Sequence, residues 1–208
     1  HTENGIKFKI DASKVMYAAG NGTERIRFAK MSAKDELVID MFSGIGYFTL
    51  PLSKHGKPKQ LIALEKNPNS AALLRQNTVL NEVDHIVTVL EGDNRKEGQD
   101  FVDRANRILM GYLPTAEPFI PRALEFAYLN LTDESRPTLI HYHYLATKQD
   151  YQSLAESQMQ VGVETYLKDH PHHTVSDIQF AHFENVKSYS PLLFHYVADI
   201  WITKRQLD

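Results

Sequence analysis

Short apolar runs alternate with amphipathic stretches along most of the chain. Leu37-Val38-Ile39-Asp40-Met41-Phe42 is a nearly continuous apolar run, the pattern of a strand buried on both faces. Runs at 60–65, 86–90, 107–111 and 138–144 predict four more strands. Between them, 47–55, 71–81, 118–129 and 151–168 read as helices, with a shorter one at 100–105. Gly56 is placed to end the first of these helices, and Asn67-Pro68-Asn69-Ser70 to start the second. Strands alternating with helices imply right-handed crossovers and a mostly parallel sheet. Two late strands, near 175–183 and 194–203, are joined by too short a link for a helical crossover, so they pair antiparallel. The expected fold is α/β: a doubly wound, Rossmann-like sheet, mostly parallel with one antiparallel strand. Before this pattern begins, 8–11 reads as a strand, 17–22 as an irregular loop and 23–31 as a helix. A small N-terminal flap over 1–33, laid against one domain over 34–208, is the expected division.

Composition narrows the class. The 208 residues are 42% hydrophobic and 24% charged, ordinary for a globular chain. There is no cysteine, which excludes disulfides and thiolate metal sites. No apolar run approaches the roughly 20 residues a membrane helix needs, and no signal peptide precedes the first strand. A cytoplasmic monomer with no membrane partner is expected. The chain opens on His1 and enters strand-like sequence at Ile6, so it reads as part of a longer protein. The formal net charge is −3. A domain that gripped a polyanion alone would be basic, because phosphate contacts supply most nucleic-acid affinity. Any RNA grip is therefore local or lies in an N-terminal region absent from this sequence. His141 and His143 alternate on one strand, and His170, His172 and His173 flank Pro171. No set of acids joins them at metal-ligand spacing, so no metal is expected.

Three strand ends carry candidate chemistry. Asp40-Met41-Phe42-Ser43-Gly44-Ile45-Gly46 follows a buried strand and precedes a helix. Its glycines allow a sharp bend and close approach to a ligand, at the end of a sheet where doubly wound folds bind ligands. Asp40, Phe42 and Gly44 are its candidate contacts. Glu65 ends the next strand, 19 residues after Gly46, where a carboxylate accepts from both hydroxyls of a ribose. Asp93 and Asn94, in Glu91-Gly92-Asp93-Asn94, end the third and are placed to meet an adenine amino group. Together these make a nucleoside pocket. Thr49 stands where a dinucleotide fingerprint needs its third glycine, so a nucleoside without pyrophosphate, such as S-adenosylmethionine, fits better.

These motifs, with Glu65-Lys66-Asn67-Pro68 and Met110-Gly111-Tyr112-Leu113-Pro114, resemble the S-adenosylmethionine-dependent enzymes that modify the purine next to the anticodon of tRNA. Lys14-Val15-Met16, Glu24-Arg25, Val186-Lys187-Ser188-Tyr189-Ser190-Pro191 and His195-Tyr196-Val197 extend the resemblance over nearly the whole chain. Two branches share it: guanine ring-nitrogen methyltransferases and wybutosine-synthesis aminocarboxypropyltransferases. Gly111 stands where the first branch carries an asparagine that orients the base, and one extra residue precedes Leu113-Pro114. The resemblance therefore implies the second branch: transfer of the 3-amino-3-carboxypropyl group to a ring carbon of a tricyclic guanine in tRNA-Phe, releasing methylthioadenosine. It also implies Glu24 as general base, Arg25 against the methionine carboxylate, Gly111 beside the cofactor, and Ala18 in a loop covering it. A helix-start acid stabilised by the dipole is the competing role for Glu24. Two other readings stay open: guanine methylation, and a non-catalytic cofactor-binding module associated with RNA.

Overall fold

The computed structural model describes residues 1–11, 13, 21–131 and 136–207. It divides into two compact units, His1–Gln99 and Asp100–Asp208. The first unit opens with a small antiparallel pair, β1 (Thr2–Glu3) and β2 (Ile6–Lys7), and then α1 (Gly22–Lys30). The alternating part follows: β3 (Leu37–Asp40), α2 (Thr49–Pro51) running into a π-helical turn over Leu52–Gly56, β4 (Gln60–Glu65), α3 (Pro68–Leu80) and β5 (Val87–Glu91). Strand β4 lies between β3 and β5 and is parallel to both, with Val38 opposite Leu61 and Ile62 opposite Thr88. Val38, Ile39, Leu61, Ile62, Ala63 and Leu64 are all fully buried, as continuous apolar runs require.

The strand expected at 8–11 does not form. Asn77 of α3 and Asn81, which caps its carboxyl end, stand four residues apart and take the place of a partner strand. The Asn81 side chain accepts from Lys7 N (2.8 Å) and donates to Lys7 O (2.7 Å). Asn77 does the same for Lys9, at 2.7 and 3.2 Å. Backbone groups that would have built a ladder are satisfied by side-chain amides instead. The helix expected at 47–55 becomes three α-helical residues and a π turn. It is packed on α1 through Phe28 and Phe48, whose ring centroids lie 4.9 Å apart.

The second unit contains β6 (Arg107–Met110), a 3₁₀ turn over Glu117–Phe119, α4 (Ile120–Phe126), β7 (Leu129–Asn130), β8 (Thr138–Ala146), α5 (Tyr151–Asp169), β9 (His173–Ser190) and β10 (Leu193–Gln206). Strands β6 and β8 are parallel, and β10 is the reversed strand, antiparallel to β8 and to β9. The helix expected to reach 129 stops at Phe126 because the chain then turns to pair β7 with β10, and Asn130 donates to Lys204 O at 3.0 Å. The late strands are longer than expected, and only Pro191 and Leu192 link them. Their ladder shifts register in four places, and Asp177 of β9 has φ +52°. The short helix expected at 100–105 is a 3₁₀ turn over Gln99–Phe101.

Candidate functional site

The three predicted strand ends of the first unit meet at the carboxyl side of its parallel strands. Their acids are held by backbone N–H groups and by side chains alike. Asp40, fully buried, accepts from Thr49 Oγ1 at 2.7 Å and from Phe42 N at 3.2 Å. Burial pushes its carboxyl up to about 6; the bonds from Thr49 and Phe42 oppose this, and nearby Glu65 adds to it. Ser43 closes the turn by donating to Asp40 O and Leu64 O. Gly44 and Gly46 have φ +56° and +102°. A Cβ on Gly46 would lie 2.7 Å from Leu50 Cγ and 2.8 Å from Leu74 Cδ1, so a side chain is excluded by space as well as by backbone angle. Phe42 is half-buried beside this turn.

Glu65 holds that turn from the neighbouring strand. Its Oε2 accepts from Gly44 N and its Oε1 from Asn67 N, both at 2.7 Å. Asn67 in turn caps α3 by accepting from Asn69 N. A carboxylate has about four acceptor positions, so two remain for a pair of ribose hydroxyls. At the third strand end, Asn94 is buried and donates to Met41 O at 2.8 Å, fastening β5's turn to β3's. Asp93 is grasped by Arg95 (2.9 and 2.5 Å) and Lys66 (3.2 Å). The Arg95 guanidinium holds its carboxyl well below the usual carboxylate range. Its side chain is partly exposed, whereas that of Asn94 is turned inward. Two surface hollows, lined among others by Lys57, Pro58 and Ile86, lie at the amino ends of these strands, away from the turns.

The helix that follows the N-terminal hairpin carries the other two predicted residues of this unit. Glu24 is fully buried and makes a bidentate pair with Arg27, at 2.9 and 2.6 Å. Arg25 is 3% exposed and turns its guanidinium on the carboxylate of Glu3, at 2.8 and 3.0 Å. Ala18 lies outside the described residues. Sequence reasoning missed Thr49 and Asn77. Asn77 donates to Ile45 O at 3.0 Å and so ties the glycine turn to the segment at Lys9. A signal for Thr49 was present: a buried acid at a strand end demands a donor, and Thr49 opens the helix that follows the turn.

In the second unit Gly111 follows β6 and begins the loop Gly111 to Thr115, which is fixed by Leu145 N donating to Pro114 O at 3.1 Å. His141 and His143 do share a face of β8, and both are buried. Arg107 can only donate to His141 Nε2 (2.9 Å), so Nδ1 carries the proton and donates to Asp199 Oδ1 (2.6 Å). His143 Nδ1 and His195 Nε2 are 3.0 Å apart, and burial, with Lys187 adding to it, lowers His195 to about 4.

The model of the TRM5/TYW2 methyltransferase domain matches residues 1–164. A tRNA(Phe) (4-demethylwyosine(37)-C(7)) aminocarboxypropyltransferase of Pyrococcus horikoshii is 34% identical over 98% of this chain and 67% of its own length. The enzyme of the same name from Methanocaldococcus jannaschii is 36% identical, over 96% of this chain and 73% of its own. The crystal structure of M. jannaschii TYW2 in complex with AdoMet superposes with TM-score 0.83 at 32% identity, covering 98% of this chain and 84% of that one. The α/β, Rossmann-like fold is thus that of an S-adenosylmethionine-binding transferase.

Proposed function

Because this chain belongs to the TRM5/TYW2 methyltransferase domain family, we propose that it transfers the 3-amino-3-carboxypropyl group of S-adenosylmethionine to a ring carbon of the tricyclic guanine derivative next to the anticodon of tRNA-Phe, a step of wybutosine biosynthesis. The observation that carries this is the match to two aminocarboxypropyltransferases along 96–98% of the chain. The turn supports it: the positive φ of Gly44 and Gly46 gives the sharp bend at a strand's carboxyl end that suits a bound nucleoside. Glu65 is assigned to the ribose hydroxyls through its two remaining acceptor positions. Asp93 is assigned to the adenine edge, and Asp40, Asn94 and Phe42 hold the turns that frame it.

S-adenosylmethionine supplies an electrophilic γ-carbon beside its sulfonium. The ring carbon of the base contributes the electron pair of the new C–C bond, and the C–S pair goes to sulfur as methylthioadenosine leaves. The proton displaced from that ring carbon goes to Glu24, which must part from Arg27 to receive it. Arg25 exchanges the Glu3 carboxylate for that of the methionine arm, a charge-assisted contact of the same kind. Gly111 leaves open the space an orienting asparagine fills in the methylating branch. Residues 1–33 act as a flap on the transferase domain 34–208, and part of the tRNA grip lies beyond this sequence. The chain works as a cytoplasmic monomer without a metal.

The test uses the full-length protein and tRNA carrying the tricyclic precursor. Methylthioadenosine should appear, and label in the aminocarboxypropyl carbons should enter the tRNA. Appearance of S-adenosylhomocysteine with methyl label in tRNA would move the chain to the methyltransferase branch.

A further inference from the structure

The loop after β6 is held by an internal polar clamp that the reaction outlined above leaves unused. Tyr142 of β8 is fully buried, and its hydroxyl donates to Gln158 Oε1 of α5 at 2.7 Å. With that proton placed, Tyr142 Oη is the acceptor for Thr115 Oγ1, 3.1 Å away. Thr115 Oγ1 accepts from Glu117 N at 3.1 Å, and Gln158 Nε2 donates to Glu117 Oε2 at 3.0 Å. The circuit closes on itself, with each of its four side chains serving another. Backbone adds to it: Leu145 N donates to Pro114 O, and Thr115 bridges Tyr144. A segment between a strand and a short helix is normally the softest part of such a unit. Here its later part, Pro114 to Glu117, is fastened to β8 and α5.

What this clamp carries is an aromatic corner. Tyr112 is 44% exposed, and its ring meets that of Phe119 edge-on, with centroids 5.8 Å apart and planes at 67°. A single exposed ring is ordinary on a protein surface; this one is set apart by its edge-on partner Phe119 and by its place. It stands at the carboxyl end of a parallel strand, the end at which such sheets bind ligands. Unstacked bases are commonly received on aromatic faces, and an extended heteroaromatic base offers more area than guanine.

We propose that Tyr112 is a stacking shelf for the tricyclic acceptor base, with Phe119 bracing it and Tyr142, Gln158 and Glu117 acting as positioning residues that keep the shelf in place. Recognition by area, rather than by a hydrogen-bonding asparagine, distinguishes the tricyclic base from an unmodified guanine. This rests on the proposed aminocarboxypropyl transfer.

The experiment is steady-state kinetics of the full-length enzyme with tRNA bearing the tricyclic base, alongside calorimetry with S-adenosylmethionine. Tyr112→Ala should raise KM for that tRNA roughly 10–100-fold, the range of one lost base stack. Cofactor affinity should stay within about twofold, and Tyr112→Phe should restore KM. Tyr142→Phe keeps the ring and deletes only the clamp's hydroxyl. It should lower kcat more than it raises KM, because a loosened shelf misplaces the base without removing the stacking surface. Unchanged KM in Tyr112→Ala, or a Tyr112→Phe variant as impaired as Tyr112→Ala, overturns the shelf. An unaltered kcat in Tyr142→Phe overturns the clamp's positioning role. A wild-type enzyme yielding S-adenosylhomocysteine sinks the underlying reaction instead, a result separable from both.

Discussion

Both units mix two kinds of polar contact, but their candidate loops lean on different ones. Around the glycine turn of the first, side chains hold backbone: Glu65 holds Gly44 N, Asn94 holds Met41 O, and Asn77 and Asn81 hold Lys9 and Lys7. Along β8 and β10 of the second, side chains hold one another: Tyr142 with Gln158 and Thr115, His141 with Asp199 and Arg107, Lys204 with Asp103. Side chains that shape main chain make a mould, whose lining is N–H, C=O and leftover lone pairs. Side chains that pair with side chains make a brace, which fixes position and presents little to a ligand. A nucleoside, rich in donors and acceptors around its rim, suits the first kind of surface. A flat base recognised by area suits a braced ring.

If the mould depends on main-chain shape, its largest failure should come from one added methyl. Gly46→Ala places a Cβ against Leu50 and Leu74 at a φ of +102°. Overpacking and backbone strain together should cost about 4 kcal/mol and abolish cofactor binding, read by thermal unfolding and calorimetry. A well-folded, fully binding Gly46→Ala protein would break the comparison outright.

Next is the buried acid within the mould. The Asp40 carboxyl in the folded state is raised from 3.8 to about 6. Below about pH 4 both folded and unfolded chains hold that proton, and stability is highest with respect to this group. Between about 4 and 6 the unfolded chain releases it first, so stability falls as pH rises, by about 3 kcal/mol in all. Denaturant unfolding at pH 4 and 7 should show Asp40→Asn gaining that much on the wild type at the higher pH. A pH-independent gap between the two proteins would mean that Asp40 ionises freely.

The brace should fail more gently. Lys204 Nζ is buried, 2.5 Å from Asp103 Oδ1 and 2.7 Å from Leu124 O. Lys204→Met should cost about 2 kcal/mol for the carbonyls left without a donor, since half-exposed Asp103 can turn to water. Calorimetric unfolding measures this. A loss as large as that of Gly46→Ala would erase the distinction between the units. Smallest of all, Asp93→Ala should change folding stability by less than about 1 kcal/mol, because Arg95 and Lys66 pair with it near the surface. The same variant sharpens the site by a separate reading: weaker S-adenosylmethionine binding at unaltered stability would assign Asp93 to the ligand.

The contrast also explains what could be read from the sequence. Strand β4 falls on the expected 60–65, and the glycine turn, Glu65 and the β5 turn all gather at strand ends, because each is encoded within a few consecutive residues. The antiparallel late pair followed from the length of one link. The clamp of Asn77 and Asn81 on the N-terminal segment joins residues 68 to 74 positions apart, and nothing in a periodic pattern announces it. Strand β7 and the buried Lys204 are likewise non-local: a two-residue strand has no period, and a lysine in a strand reads as a surface residue until its distant acid is found. Arg25 and Glu24 were singled out by family resemblance, whereas their contacts to Glu3 and Arg27 come only from the folded chain.

Strand β9 has a consequence for how copies of the chain meet. It is 18 residues long and its ladder runs to β10 alone among the described residues, so its other side is a row of donors and acceptors of the kind that templates fibre growth. The four register shifts between β9 and β10, with the positive φ of Asp177, break that row into short stretches. A second chain could zip onto only a few residues before losing step, and stretches that short give little cooperative gain. The irregularity that makes the hairpin untidy is also what keeps so long an edge from pairing in step with a second copy.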